Sequence, residues 1–347
     1  MRYGSVDIAS VSSFVWITDE GGKKLAGGEV ATEKDALQRA FRPYVKHGLK
    51  IAIEAGNQTA WIYDCLVEAG AEVIVVNPNK VKLIAESRRK TDKIDAKILC
   101  ELLRGNLLPR PVHMPSPEAR SLRTLLNARR QLIRNRTRLC NTVRGVLRQE
   151  GVQLKARGLN SKKAWQELMS AQYKGAHIPT ILRAYYPAFE ALTQSLRELD
   201  KELKLKAEQD PRVELLKTMP MVGVIAALTL IAAIDDEARF TSSRQLVSYS
   251  GLAPIVRQSG ERATYGPISR EGRRELRAIW VQIAHLVATD DSGAARPLRR
   301  WFLRVAHRRG KKTALVALAR KLLTIALQML KTGEVYEAKR LVRKAAA

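Results

Sequence analysis

The 347-residue sequence contains few cysteines, few aromatic residues and comparatively few acids. Cys65, Cys100 and Cys140 stand alone without metal-type spacing, which argues against zinc sites and disulfides and predicts small core residues. Aromatic residues make up 5%, so base stacking is not expected to dominate any nucleic-acid contact. The longest apolar stretch, Val222 to Ile234, is shorter than a membrane span and predicts a buried helix. No export signal is visible at the N-terminus, so we expect neither export nor a membrane partner.

The shortage of acids leaves a large positive charge. Lysine and arginine number 61 against 34 acidic residues, which gives a formal charge of +27 and predicts a polyanionic partner, nucleic acid first. Residues 1–115 hold 17 basic and 14 acidic residues, whereas residues 116–347 hold 44 and 20. Nine arginines and no acid lie in 120–148, and eight basic residues and no acid in 296–312. This distribution indicates a catalytic unit joined to a nucleic-acid-holding unit, with solvated helical faces as the alternative for the two runs.

Hydrophobic periodicity predicts a mixed α/β sheet at the N-terminal end and helices beyond it. Strands are expected near 3–8, 14–17, 49–53 and 73–76, and helices near 35–45, 61–68 and 91–103. Further on, helices over 120–148 and 188–209 could pair as a coiled coil, 151–180 gives no clear prediction, 250–270 is expected to be a loop region, and helices continue to about 332. The predicted domains are 1–115, a basic helical arm over 116–210, and a mainly helical domain over 211–347.

Four acids in the first domain are candidate metal ligands. Asp7 lies within the first expected strand, and Glu54 ends a later strand of the same sheet. Asp92 and Asp95 are three residues apart on one helix face. Phosphodiester chemistry commonly uses divalent ions held by converging carboxylates, so the four acids could form a magnesium site if the helix packs on the sheet. Structural roles are the alternatives to metal binding. Asp92 could stabilise the helix dipole, Asp95 could form an ion pair, and Glu54 could begin a polar loop.

The order and context of these acids resemble the DEDD-type insertion-sequence transposases, which are related to the Piv invertases and include bridge-RNA-guided recombinases. The matching pieces are Gly4-Ser5-Val6-Asp7-Ile8-Ala9, Ile53-Glu54-Ala55-Gly56, Val76-Asn77-Pro78 and Lys90-Thr91-Asp92-Lys93-Ile94-Asp95-Ala96. The resemblance implies an α/β RNase H-like (RuvC-like) N-terminal domain, a mainly α-helical coiled-coil arm and a C-terminal transposase domain. It also implies that Asp7, Glu54, Asp92 and Asp95 are catalytic and bind Mg²⁺, with Mn²⁺ as an alternative ion.

A second matching region points to a serine. It comprises Phe240, Arg244-Gln245-Leu246, Tyr249 and Gly251-Leu252-Ala253-Pro254, leading into Gln258-Ser259-Gly260. The resemblance implies that Ser259 attacks DNA and becomes covalently joined to it, although Ser-Gly in a loop is by itself usually a turn. Ser269 is the competing serine, and we expect it to cap the helix that follows. The arginines expected to contact nucleic acid are Arg129, Arg130, Arg134, Arg257, Arg270, Arg273 and Arg274.

The resemblance, together with the positive charge, implies a cytoplasmic, nucleoid-associated transposase that recombines DNA through a magnesium-assisted serine–DNA intermediate. The resemblance implies donor and target double-stranded DNA and a noncoding guide RNA as partners. It further implies a homo-oligomer, dimer or tetramer, in which the acidic and serine domains meet across protomers. One alternative is a RuvC-like structure-specific nuclease that forms no serine linkage. Another is a non-catalytic nucleic-acid-binding assembly protein.

Overall fold

A computed structural model of the chain describes residues 1–84, 91–154, 158–173, 175, 177–259 and 262–338. The chain forms two compact units, Met1–Pro115 and Ser116–Ala347. The first unit is a mixed α/β fold and the second is mainly helical, as the periodicity of the sequence predicted.

The first unit contains five strands and four helices in its described part. They are β1 (Arg2–Asp7), β2 (Ser12–Thr18), β3 (Lys24–Ala31), α1 (Lys34–Val45), β4 (Leu49–Glu54), α2 (Thr59–Glu68), β5 (Glu72–Val76), α3 (Pro78–Val81) and α4 (Asp92–Arg104). The strands form one sheet in the order β3-β2-β1-β4-β5. β1, β4 and β5 are parallel, and β2 and β3 are antiparallel to their neighbours.

Helices cover both faces of this sheet. α1 and α2 pack on one face, where Leu37 and Phe41 of α1 are fully buried against Ile51 and Ile53 of β4. α4 packs on the other face, against β1, β2 and β4. Central parallel strands that are covered on both faces need continuous apolar sequences, which is why β4 and β5 could be recognised from their composition.

The strand β3 was not expected from the sequence. It is an edge strand that pairs with β2 alone, and none of its eight residues is buried. Without a buried face it lacks the apolar alternation that reveals a strand, and Gly27 and Gly28 further weaken the pattern. The turn Asp19-Glu20-Gly21-Gly22 after β2 therefore leads into β3, and β1, β2 and β3 form an antiparallel meander.

The second unit contains nine helices and a two-stranded sheet among its described residues. They are α5 (Pro117–Gln149), α6 (Lys162–Ser170), α7 (Ile178–Glu208), α8 (Pro211–Lys217), α9 (Val224–Ile234), α10 (Ser243–Tyr249), β6 (Pro254–Ser259), β7 (Arg262–Ile268), α11 (Arg274–Thr289), α12 (Arg296–Arg309) and α13 (Lys311–Thr332).

The two longest helices, α5 and α7, pack against each other and run in opposite directions. Leu122 near the start of α5 shares a core cluster with Leu203 near the end of α7, and Cys140 lies in a cluster with Ile178. α7 begins ten residues before the position 188 that the sequence predicted, and Pro187 lies inside the helix. α6 occupies the segment that gave no clear prediction. Supercoiling of the pair stays a prediction.

The remaining helices form one large core. α9 buries eight of its eleven residues, so the prediction of a buried helix there is confirmed. α13 buries nine residues in the same core. Among the described helices, α13 is long and apolar enough to cross a membrane by length and composition alone. All three cysteines are buried and free, which confirms their prediction as core residues.

Two expectations for 250–270 were wrong. Instead of a loop, the chain forms the antiparallel hairpin β6–β7, whose strands are mostly exposed and so carry no one-sided apolar pattern. Ser269 does not cap the following helix. That helix, α11, begins only after Arg273, and no side chain caps its N-terminus. The Ser269 amide instead donates to the Ala253 carbonyl at 2.8 Å, which fixes the end of the hairpin.

Candidate active site and nucleic-acid interface

Asp7 and Glu54 occupy matching positions on neighbouring strands. Asp7 is the last residue of β1, and Glu54 is the last residue of β4. Val6 lies opposite Ile53 in the parallel pairing of these strands, so each acid is one residue beyond a paired position. The two carboxylates therefore leave the sheet side by side at the carboxyl ends of its central strands.

Both acids face the side of the sheet that α4 covers. Side chains two residues apart on a strand point to the same face. Ser5, two residues before Asp7, is buried and its Oγ donates to the Ala96 carbonyl of α4 at 2.6 Å. Ala52, two residues before Glu54, is fully buried in a cluster formed with α4. The strand register and the packing of α4 thus bring the pair under this helix.

Asp92 and Asp95 lie in the first turn of α4. The helix begins after Thr91, whose Oγ1 accepts a hydrogen bond from the Ile94 amide at 3.3 Å. Asp92 is exposed, and Asp95 is half-buried. Ala96, the acceptor for Ser5, follows Asp95 directly, so this turn is attached to β1. Two acids in the first turn also stabilise the helix dipole, which is the alternative role that the sequence left open.

The interface between α4 and the sheet is buried. Burial raises the pKa of the Cys100 thiol on α4 to about 11. Its Sγ lies 3.4 Å from the Tyr3 carbonyl and 3.5 Å from Thr18 Oγ1. Trp16 packs in the same cluster. These buried contacts hold α4 against the sheet.

The four acids provide only oxygen ligands, which suit Mg²⁺ or Mn²⁺. Within the part of the chain that the structure describes, no group of three or more carboxylate, imidazole or thiolate side chains is positioned to hold a metal ion. Residues 85–90, including Lys90 of the motif, lie outside the described residues. The donor chemistry and the side-by-side strand ends fit a hard divalent cation, and convergence of all four acids on it stays a prediction.

Ser259 is placed by the backbone of the hairpin. It is the last residue of β6 and pairs with Arg262, the first residue of β7. Gly260, Glu261 and the side chains of Ser259 and Arg262 lie outside the described residues. At a rise of about 3.3 Å per residue, Ser259 is roughly 17 Å along β6 from its first residue. Val256 and Tyr265, paired along the way, are 50% and 72% exposed.

The base of this hairpin is rigidly fastened. Backbone amides of the outgoing segment donate to carbonyls of the incoming segment, namely Ser269 to Ala253, Arg270 to Gly251 and Arg273 to Tyr249. Arg277 Nη1 donates to the Ser250 and Arg270 carbonyls, each at 3.2 Å, and so bridges both segments. Gly272 has φ +130°, and a Cβ there would clash with the Tyr249 carbonyl oxygen. The Gly-Leu-Ala-Pro segment thus packs closely against the segment that follows β7. The sequence did not predict that Arg277 would hold these two segments together.

The seven arginines proposed to bind nucleic acid all lie in the second unit. Arg129 forms an ion pair with Asp200, and Arg130 pairs with Glu275 at 2.8 Å. Arg134 and Arg274 line one shallow depression beside α5. The other three are Arg257 on β6, Arg270 with φ +58° in the turn after β7, and Arg273 before α11. The other five arginines form no ion pair with an acid in the described part of the chain.

Sequence reasoning missed a structural cluster at the end of α9. Arg123 donates to the Ala232 carbonyl at 2.6 Å and to the Ala233 carbonyl at 3.1 Å. Asp235, with φ +64°, accepts hydrogen bonds from the amide and the Oγ of Ser116 at the start of α5. Arg123 is one of nine arginines in an acid-free run, and no local signal marks it as half-buried.

Two family models match this chain. Residues 5–151 match a family model described as a transposase, whose DEDD domain is RNase H-like. Residues 213–298 match a second model, described as the transposase IS116/IS110/IS902 family. The first match spans all four acids, and the second spans Ser259 and the hairpin.

Similar proteins come from several bacteria. The transposase for insertion sequence element IS1111A of Coxiella burnetii is 27% identical over 336 residues, 95% of this chain and 90% of that protein. The “Putative transposase y4pF/y4sB” of Sinorhizobium fredii is 30% identical over 82% of this chain and 74% of its own length. The pilin gene-inverting protein of Moraxella bovis is 28% identical over 77% and 74%. On these matches, the chain belongs to the IS116/IS110/IS902 family of transposases.

Proposed function

We propose that this transposase cuts and rejoins DNA through a covalent intermediate on Ser259, assisted by Mg²⁺ held by Asp7, Glu54, Asp92 and Asp95. The observation that carries the proposal is the placement of Asp7 and Glu54 side by side at the ends of two central strands, under a helix that begins with the other two acids. When bound, the cation would polarise the scissile phosphate and stabilise the charge that develops on it.

The serine supplies the nucleophile in this proposal. Ser259 Oγ forms a bond to phosphorus, the bond from phosphorus to the departing sugar oxygen breaks, and the serine proton is released as that oxygen gains one. Rejoining reverses these changes with the hydroxyl of a different strand, so the energy of the phosphodiester bond is kept. An ordinary serine is a weak nucleophile, and nearby cations such as Arg257 and Arg270 favour attack by balancing the phosphate charge.

The partners are proposed from charge and from the family. The 44 basic residues of 116–347 support binding of donor and target double-stranded DNA. A noncoding guide RNA would select the sequences by base pairing while the protein contacts backbone and shape. We further propose a homo-oligomer, a dimer or tetramer, in which α5 and α7 provide assembly surfaces. Its place is the bacterial cytoplasm, associated with the nucleoid, with no membrane partner.

Covalent trapping tests this function. The full-length protein is incubated with its noncoding RNA and with end-labelled donor and target DNA, the target being interrupted by a nick next to the cleavage position. Denaturing electrophoresis should then show labelled DNA attached to protein. Ser259→Ala should abolish the attachment and leave DNA binding intact. Ser269→Ala is the matched control and should still form the adduct.

The outcome separates this function from its two alternatives. Cleaved DNA without attached protein would indicate a structure-specific nuclease. Binding without cleavage, unchanged by Asp7→Ala or by a chelator, would indicate a nucleic-acid-binding assembly protein. Either result would overturn the serine mechanism.

A further inference from the structure

A cavity of about 490 Å³ opens among α5, α9 and α11, entirely within the second unit. It contains neither the four acids nor Ser259, and no step of the proposed reaction uses it. Sites for small ligands and cofactors commonly have volumes of about 300–1,000 Å³. The size of the cavity therefore suits a ligand of one or a few ring systems.

The floor of this cavity is apolar. Leu126 of α5, Ile225 and Ala232 of α9, and Leu276 and Ile279 of α11 line it. Three helices thus present small and branched aliphatic side chains to an open space. An apolar floor favours a flat, weakly polar group that loses little hydration on burial.

The rim of the same cavity carries four arginines, Arg123, Arg129, Arg130 and Arg273, and one acid, Glu275. Three of these arginines already have partners: Arg123 donates to backbone carbonyls, Arg129 pairs with Asp200, and Arg130 pairs with Glu275. The side chain of Arg273 makes no hydrogen bond or ion pair with any described residue. The Nε of Arg130 is buried without a hydrogen-bond partner in the described part of the chain, although the head of this side chain reaches Glu275 and Asn127. A buried donor without an acceptor is costly, so the rim favours an incoming anion.

The positive charges on the rim also repel one another. Burial and the nearby charge of Arg273 lower the pKa of Arg123. An anion bound between them relieves that repulsion, and guanidinium groups bind phosphate oxygens in a bidentate geometry. The amide groups of Asn127 and Gln282, which also line the cavity, can donate to and accept from a polar ring edge.

We propose that this cavity binds one unpaired nucleotide of a nucleic-acid strand, with the base on the apolar floor and its phosphate on Arg273 at the rim. The proposal deepens the function proposed above and rests on it, because it assigns the cavity to the nucleic acid that the transposase holds. A neighbouring depression shares Ile133 and is lined by Arg134, Arg138 and Arg274. That cationic continuation along α5 accommodates adjacent phosphates, which favours a nucleotide within a strand over a free one.

Binding of bulged duplexes to the full-length protein tests the proposal. The probes are a fluorescein-labelled DNA duplex with one unpaired adenosine, the same duplex with an abasic bulge, and the fully paired duplex. Dissociation constants are measured by fluorescence anisotropy. Because burying the base against aliphatic side chains removes apolar surface from water, the adenosine bulge should bind at least about fivefold more tightly than the abasic bulge.

Blocking the cavity should remove this preference. Ala278 lines the cavity and is exposed, so Ala278→Trp should cover the opening without changing a charge. Both bulged duplexes should then bind equally while the fully paired duplex is unaffected. The matched control is His285→Trp on the same helix, at an exposed position outside the cavity, which should keep the preference. Thermal unfolding of both variants verifies that they fold.

Four results would overturn the proposal. The first is equal binding of the two bulged duplexes by the unmodified protein, and the second is a preference that survives Ala278→Trp. In the third, inorganic phosphate displaces the bulged probe as effectively as adenosine monophosphate, which marks a simple anion site. In the fourth, Ala278→Trp changes only the oligomeric state, which marks a protein interface. If the protein binds the fully paired duplex and binds both bulged duplexes equally, only the cavity assignment is rejected. If it binds no DNA at all, the proposed function is rejected as well.

Discussion

Residues 1–115 and residues 116–347 use charged side chains in different ways. In the first unit, 17 basic residues nearly balance 14 acids, and two of those acids stand together at strand ends. In the second unit, 44 basic residues face 20 acids, and the arginines extend along helices. A nearly neutral unit does not repel a divalent cation, and a cationic unit attracts phosphates. Charge distribution alone therefore separates the proposed metal site from the proposed nucleic-acid surface.

The comparison also shows that not every arginine of the basic unit is free to bind nucleic acid. Arg123 and Arg239 donate to backbone carbonyls at the end of α9, where they satisfy the last turn of that helix. Arg129 is paired with Asp200. The net charge of the unit therefore overstates its phosphate-binding surface, and individual contacts decide which cations remain available.

The largest effect is expected at the strand-end acids. Asp7→Asn keeps the shape of the side chain and removes its charge, so DNA cleavage should fall by at least about 100-fold if the carboxylate holds a cation that stabilises the reacting phosphate. Quantified cleavage of labelled DNA at fixed Mg²⁺ measures it. Asp35→Asn, an exposed acid in the first turn of α1, is the matched control and should keep full activity. Equal activity of both variants would remove the metal hypothesis.

The next effect concerns the fastening of the hairpin in the basic unit. Gly272→Ala should lower the free energy of unfolding by about 3 kcal/mol, because alanine is strained at φ +130° and its Cβ meets the Tyr249 carbonyl. Gly145→Ala is the control. A Cβ at Gly145, inside α5, meets nothing within 4 Å, so this change should stabilise by about 0.5–1 kcal/mol. Chemical denaturation measures both, and a neutral Gly272→Ala would show that the two segments at the base of the hairpin can relax.

How far the sequence predicts each region follows from where its side chains are buried. Strands covered on both faces and helices with one apolar face were recognised, because burial imposes a pattern on β4, α4 and α9. The edge strand β3 and the hairpin β6–β7 were missed because neither has a buried face. The beginning of α7 was missed because the apolar spacing that revealed the helix starts at Leu192, well after Ile178.

The candidate site shows the same limit. Asp7 and Glu54 could be predicted from the sequence because an acid at the end of an apolar strand is unusual. The parallel register of β1 and β4 then places the two acids side by side. Arg277, Gly272 and Arg123 could not be nominated, because their roles depend on backbone carbonyls that are distant in sequence. Every residue has a backbone carbonyl, so a hydrogen bond to one cannot be predicted from residue types.

A smaller effect is expected where the second unit begins. Ser116→Ala removes the N-cap of α5 and also the hydroxyl that donates to Asp235 at 2.6 Å, so it should cost about 2 kcal/mol of unfolding free energy. Ser161→Ala removes only a cap, that of α6, and should cost about 1 kcal/mol. Denaturant midpoints compare the two. Equal costs would mean that Asp235 finds water or another partner when the hydroxyl is lost.

The smallest effect tests the charge comparison itself. Arg134→Gln removes an exposed cation of α5, and Arg42→Gln removes one of α1. If Arg134 contacts a phosphate, its loss should weaken DNA binding about fivefold at 0.15 M salt and reduce the slope of log K against log salt by about one. Arg42→Gln should change neither quantity, although it removes the same net charge from the protein. Equal losses in both variants would mean that the overall charge attracts DNA without a defined surface, and the distinction between the two units would then concern the acids alone.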